Sequence, residues 1–156
     1  MEITTAIRPT RQQQHLRRIS LAAGPAAAAE ARTEVRAAVF AWDLPVDPSV
    51  AVLLTSELVT NAIRHEVTGI VMLAITCSCG QLRVDVHDTS RALPMLVDAP
   101  VDAETGRGLM LVTTLSAEWG FFRTPAGKAV YFTLTFQPDA AEDGGRGLQG
   151  VQAWGL

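Results

Sequence analysis

The sequence has few cysteines and no long apolar run. Cys77 and Cys79 are the only cysteines among 156 residues, and they are too few and too close together for a disulfide framework. Two residues apart in a strand, they would point to the same side, which favours an ordinary strand position over a metal site. No apolar stretch reaches the roughly 18 residues that a membrane-spanning helix needs, and the start of the chain lacks a signal-peptide core. We therefore expect a cytoplasmic protein with no membrane contact.

An excess of charge of either sign is also missing. The 13 basic and 16 acidic residues leave a net charge of -3, which predicts no direct binding of nucleic acid. Hydrophobic residues make up 48% of the sequence, enough for a packed core. The length suits one domain.

Motifs of several enzyme classes are absent. The sequence contains no G-x-S-x-G nucleophile elbow, and no G-x-G-x-x-G directly follows its first predicted strand, which argues against α/β-hydrolases and Rossmann folds. No spacing of histidine, cysteine and carboxylate residues indicates a metal held by the protein alone. His65 and His87 stand alone, and we expect them to be structural or exposed.

The apolar periodicity predicts helices that are separate from paired strands. Pro25 and the pair Asp47-Pro48 mark two helix starts, because proline is tolerated in a first turn and aspartate caps it. The predicted order is a strand at 18–23, helices at 25–42 and 47–65, strands at 70–76 and 82–88, a loop at 89–105, a short helix from 109, and strands at 119–123 and 129–136. This order favours an α+β sandwich in which helices cover one face of a mostly antiparallel sheet.

The two ends of the chain lack the periodicity of packed elements. Residues 1–17 are polar and predict a flexible arm, while the glycine-rich segment 138–156 predicts a disordered tail. The predicted folded domain is therefore 18–137.

Glu57 and Asn61 are the first candidate ligand-binding residues. They are four residues apart on the second predicted helix, so both project from one face and could reach the same ligand. An ordinary solvent-exposed face has the same spacing. The pattern alone leaves both interpretations open.

Asp88 is the second candidate. The alternation of Leu82, Val84 and Val86 places it on the core side of its strand, where a carboxylate is costly unless a group donates to it. The amino group of a nucleobase would be a suitable donor. Alternatively, the strand ends at His87 and Asp88 only begins a turn.

The third candidate is a glycine turn at Gly106, Arg107 and Gly108, just before a predicted helix. Such a start offers free backbone N–H groups to an anion, and the arginine fork suits a phosphate. A flexible exit from the preceding loop is the alternative interpretation.

In this order, the three candidates resemble motifs of the histidine-kinase-like ATPases. SELVTNAIRH is similar to the family's glutamate-x-x-x-asparagine box, VHDTS to its adenine-binding aspartate box, and TGRGLMLV to its glycine box. The similarity extends from about 18 to 136, and the small anti-sigma-factor serine kinases, including actinobacterial regulators, are the branch that it resembles most.

The resemblance implies a Bergerat-type sandwich that binds ATP and magnesium. It implies that Asn61 ligates the magnesium, that Glu57 is the catalytic base for an attacking hydroxyl, and that Asp88 accepts from the adenine amino group. Gly106, Arg107 and Gly108 would hold phosphates. The implied partners are a sigma factor and an anti-anti-sigma protein of the STAS type, and a homodimer is compatible with the apolar surplus.

Three departures from the family pattern favour weaker nucleotide binding. Ser90 stands where relatives often have glycine, Ala129 stands where many have threonine, and the loop at 89–105 is short for a lid. The function expected is therefore an anti-sigma serine/threonine kinase. A regulatory module that acts by contact without phosphotransfer is the alternative, and a catalytic domain serving a histidine phosphotransfer partner is a third possibility.

Overall fold

The computed structural model describes residues 14–66, 68–91 and 104–137. The strands are β1 His15–Ala22, β2 Ile70–Ser78, β3 Gln81–Asp88, β4 Glu118–Arg123 and β5 Lys128–Thr135, and the helices are α1 Ala27–Ala41, α2 Pro48–His65 and α3 Glu104–Leu115. The sheet order is β1-β2-β3-β5-β4, with every neighbouring pair antiparallel. The predicted α+β sandwich with two β-hairpins is confirmed.

The helices and one face of the sheet share a single hydrophobic core. Leu82, Val84 and Val86 alternate along β3 and are buried in the same cluster as Leu54 and Leu58 of α2. Helix α2 contacts both other helices and packs over β3 and β5, so it is the central element of the helix layer. None of the described helices is long and apolar enough to cross a membrane.

The start of α2 follows the predicted capping. Asp47 adopts an extended backbone conformation, and its Oδ1 accepts a hydrogen bond of 2.8 Å from the backbone N–H of Ser49. Pro48 occupies the first turn, where a missing N–H costs no helical hydrogen bond. The orientation of the central helix is therefore fixed by local sequence as well as by packing.

The first strand begins earlier than predicted. It starts at His15 rather than at 18, so residues 15–17 belong to the strand, while residues 1–13 and 138–156 lie outside the described residues. The His15 ring stacks on Trp42 with centroids 4.9 Å apart, and Arg17 Nη1 lies 3.2 Å from Glu34 Oε2. These polar residues are held in the strand by partners that are distant in the sequence. The alternation of apolar residues, which predicts strands, does not indicate such contacts.

The third helix also begins earlier than predicted. It starts at Glu104, so Gly106 and Gly108 lie inside the helix and the predicted glycine turn is wrong. Glycine is needed at position 108 because α3 comes close to Glu57 of α2 there, and not because the chain turns. The helix ends at Leu115, and residues 92–103 of the predicted loop lie outside the described residues.

Gly127 allows the β4–β5 turn to pass close to the end of β3. A Cβ atom on Gly127 would lie 2.6 Å from Thr89 Cα and closer still to the backbone oxygen of Asp88. Real Cβ atoms are not found so near backbone atoms, and a backbone neighbour cannot rotate away as a side chain can. Glycine is therefore required here for space.

We expect Gly127→Ala to lower the free energy of unfolding by at least about 2 kcal/mol, because the added methyl group must push two chain segments apart. Urea unfolding monitored by circular dichroism would measure the change. Gly24→Ala is the matched control, since a Cβ there meets no atom within 4 Å. Equal stability of the two variants would contradict the steric requirement.

Candidate functional site

Helices α2 and α3 meet where Glu57 lies against Gly108. A Cβ atom on Gly108 would lie 2.5 Å from Glu57 Oε2, so any larger residue would displace the carboxylate. Glu57 and Gly108 line a cavity of about 20 Å³ together with Asn61. The glycine inside the helix therefore determines where the glutamate carboxylate can sit.

Asn61 has a buried oxygen without a hydrogen-bond partner. The residue is only 9% exposed, which excludes the solvent-face interpretation for it. Its Oδ1 accepts no hydrogen bond from any described residue. A buried amide oxygen in this state is costly, and a hard cation or an N–H group would satisfy it.

Asp88 points toward the core, as predicted from the alternation of β3. It is 3% exposed, and β3 extends through this residue rather than ending at His87. Its Oδ1 accepts 2.8 Å from the backbone N–H of Ser90, the geometry of an aspartate that begins a turn. Asp88 is thus both the last core-facing residue of the strand and the first residue of the turn.

Lys128 is a site residue that the sequence pattern did not identify. It pairs directly across the sheet with Asp88, and its Nζ donates a hydrogen bond of 3.2 Å to Oδ1 and lies 3.1 Å from Oδ2. The signal was available, because the alternation of Val130, Phe132 and Leu134 continues back to position 128. Lys128 is also the only lysine of the sequence.

The position of Lys128 changes the interpretation of Ala129. Successive residues of a strand face opposite sides, so Ala129 lies on the other face of the sheet, opposite His87 in register. The residue that follows Gly127 on the Asp88 side is therefore Lys128. A side chain at position 129 therefore faces away from Asp88.

Glu66 is a second residue that sequence reasoning missed. Its carboxylate accepts hydrogen bonds from the backbone N–H and Oγ1 of both Thr68 and Thr89, at 2.6–2.8 Å. Desolvation raises the pKa of Glu66, but the four hydrogen bonds together outweigh it and lower the pKa from its usual 4.5 to about 2. Glu66 thereby ties the end of α2 to the turn after Asp88.

The structure does not place the other residues that were singled out from the sequence in this site. The side chains of Arg107 and His65 lie outside what the structure describes, so phosphate contacts by Gly106 and Arg107 stay predictions. The His87 ring packs edge-on against Phe122 on the outer face of the sheet, 6.1 Å between centroids. Within the described part of the chain, no cluster of three histidine, cysteine or acidic residues could hold a metal.

We expect the stabilisation by Glu66 to be lost in acid. A carboxylate whose folded pKa is lowered from 4.5 to about 2 stabilises the fold fully above about pH 4.5, and this contribution disappears as the pH falls toward 2. Urea unfolding of the wild type and Glu66→Gln at about pH 7 and about pH 3 would test this. Their difference in stability should shrink at the lower pH, and an unchanged difference would refute the assignment.

A family described as the histidine kinase-like ATPase domain matches residues 21–134. No protein of curated function matches significantly.

Two similar solved structures come from Erythrobacter litoralis. The histidine kinase domain of the EL346 blue-light activated histidine kinase is 32% identical over 58% of this chain and 46% of that chain, with a TM-score of 0.43. The EL346 blue-light activated histidine kinase is 27% identical over 66% and 40% of the two chains, with a TM-score of 0.44. The chain thus spans less than half the length of either structure.

The family match runs from the end of β1 to the end of β5 and includes the residues Glu57, Asn61, Asp88 and Gly108. The chain therefore belongs to the histidine kinase-like ATPase domain family.

Proposed function

We propose that the chain is an ATP-dependent protein serine/threonine kinase that acts as an anti-sigma factor. It binds a sigma factor in one state and phosphorylates a serine of an anti-anti-sigma protein of the STAS type in another. The observation that carries the proposal is the pairing, on one helix, of the Glu57 carboxylate held against Gly108 with the unsatisfied buried oxygen of Asn61. The family binds ATP, and these two groups supply a base and a metal ligand beside each other.

The residues present fit magnesium and ATP. Magnesium prefers oxygen ligands and takes few of them from a protein when phosphates supply others, so the single Oδ1 of Asn61 is an adequate ligand. The bound ion would neutralise charge on the phosphates. At the other end, the buried Oδ2 of Asp88 lies 3.1 Å from Lys128 Nζ and accepts no further hydrogen bond among the described residues, which leaves a lone pair for the amino group of adenine.

The proposed reaction transfers the γ-phosphoryl group to a hydroxyl. The serine oxygen of the antagonist forms a bond to the γ-phosphorus, and the bond from that phosphorus to the oxygen bridging the β-phosphate breaks, releasing ADP. The hydroxyl proton passes to the Glu57 carboxylate. Positioning and charge neutralisation supply most of the acceleration in such transfers, so one carboxylate is a sufficient base.

Glu57→Gln should retain ATP binding but lose at least about 100-fold in transfer rate, the usual contribution of a general base. Incubation of the purified chain with the cognate antagonist and labelled ATP would measure transfer, and calorimetry would measure binding. Glu30→Ala, which changes an exposed glutamate of α1, is the control and should transfer normally. Equal transfer by Glu57→Gln, or no transfer by the wild type, would refute the catalytic role.

The acid stability of the phosphorylated product also distinguishes a serine kinase from a histidine kinase. A phosphoserine is stable in acid, whereas a phosphohistidine is not. Acid-labile phosphate on a histidine-containing partner would identify a catalytic domain of a histidine phosphotransfer system instead.

A regulatory module that acts by contact without phosphotransfer is the second candidate function. The loop at 89–105, which is short for a lid, motivates it. Calorimetry with ATP and magnesium distinguishes the two functions. Micromolar binding that Asn61→Ala weakens at least tenfold favours the kinase, while no binding favours the module.

A further inference from the structure

We propose that Lys128 recognises the purine base together with Asp88. Its ammonium group donates a hydrogen bond to ring nitrogen N1 of adenine, while Oδ2 of Asp88 accepts from the neighbouring amino group. The inference rests on the nucleotide site proposed above. It assigns to a residue of this chain a role in base specificity that neither the motifs nor the family match assign.

The first support is the burial of the pair. The side chains of Lys128 and Asp88 are 2% and 0% exposed, and both lie on the sheet face that the helices cover. Lysine is rarely buried, since its ammonium group loses hydration. The only lysine of the sequence is nevertheless buried, beside Asp88.

The second support is that the pair is only partly satisfied. An ammonium group has three N–H donors, yet among the described residues Lys128 donates one hydrogen bond, to Oδ1 of Asp88. Oδ2 is engaged in the ion pair, 3.1 Å from Nζ, but no described residue donates a further hydrogen bond to it, so a carboxylate lone pair is left for another donor. A buried donor with spare capacity thus lies beside a buried acceptor with spare capacity.

A purely structural role explains this arrangement poorly. A buried ion pair often stabilises a protein no more than well-packed apolar residues of similar volume, and a pair with unsatisfied groups is worse. The neighbouring cross-strand pairs on the same face, Val86 with Val130 and Val84 with Phe132, show that the fold accepts apolar residues there. The charged pair is best explained by a ligand that completes it.

Adenine has the complementary edge. Its exocyclic amino group is a donor and the adjacent N1 is an acceptor, which matches an acceptor and a donor side by side. The hydrogen bond from an ammonium group to N1 is charge-assisted and is therefore stronger than one from a hydroxyl. Asp88 would read the amino group, and Lys128 would read the ring.

The test uses ATP and 1-deaza-ATP, in which N1 is replaced by C–H. With magnesium present, calorimetry should show that the wild type binds 1-deaza-ATP at least tenfold more weakly than ATP. Lys128→Met should bind ATP at least tenfold more weakly than the wild type and should bind both nucleotides equally. Arg18→Met, which changes an exposed arginine of β1, is the control and should discriminate as the wild type does.

A spectroscopic measurement does not depend on the variant folding. Because the chain has one lysine, protein labelled with carbon-13 at lysine Cε gives one side-chain NMR signal. ATP should shift that signal, and 1-deaza-ATP at saturation should shift it much less.

Three results would overturn the inference. Equal wild-type affinity for both nucleotides would exclude the hydrogen bond to N1 while leaving the kinase proposal intact. Tighter ATP binding by Lys128→Met would show that the lysine competes with the base for Asp88. No binding of ATP by the wild type would overturn this inference and the proposed kinase together.

Discussion

The register between β3 and β5 is the constraint on which the site depends. It sets Asp88 opposite Lys128 and, on the same face, Val86 opposite Val130. A slip of one residue would turn every side chain of one strand to the other face, placing the lysine outside and exposing the core. Gly127 supports this register, because only glycine lets the β4–β5 turn lie against the backbone of Asp88.

Helix α2 links the two ends of the site. It carries Glu57 and Asn61 in its middle, and Glu66, directly after it, holds the turn that follows Asp88. A carboxylate in the middle of a helix and a turn held at the end of the same helix cannot move independently. The rigid core under α2 therefore fixes the distance between the phosphate end and the base end of the proposed nucleotide site.

The sequence was sufficient to predict those structural features that depend on local pattern. The Asp47 cap, the two hairpins and the coreward direction of Asp88 follow from turn chemistry and from alternation, and the structure contains all three. The roles of Lys128 and Glu66 depend instead on contacts between segments distant in the chain. No periodicity shows that β5, rather than β4, lies beside β3.

Gly108 shows how one cue can be read in two ways. A glycine before an apolar helix is typical of a loop exit, and the sequence interpretation placed a turn there. In the structure the residue lies within α3, where the absence of a side chain leaves room for Glu57. The amino acid was correctly singled out, but the reason was a contact between helices.

The burial of Lys128 also has a consequence for the chemistry of the folded surface. Reagents that acylate primary amines find no exposed lysine side chain, since the one ε-amino group of the sequence is 98% hidden beside Asp88. Acylation of that nitrogen requires the packing around β3 and β5, two interior strands of the sheet, to open. The labelling rate of that nitrogen, followed by the mass of the peptide that contains Lys128, therefore reports how often this region opens.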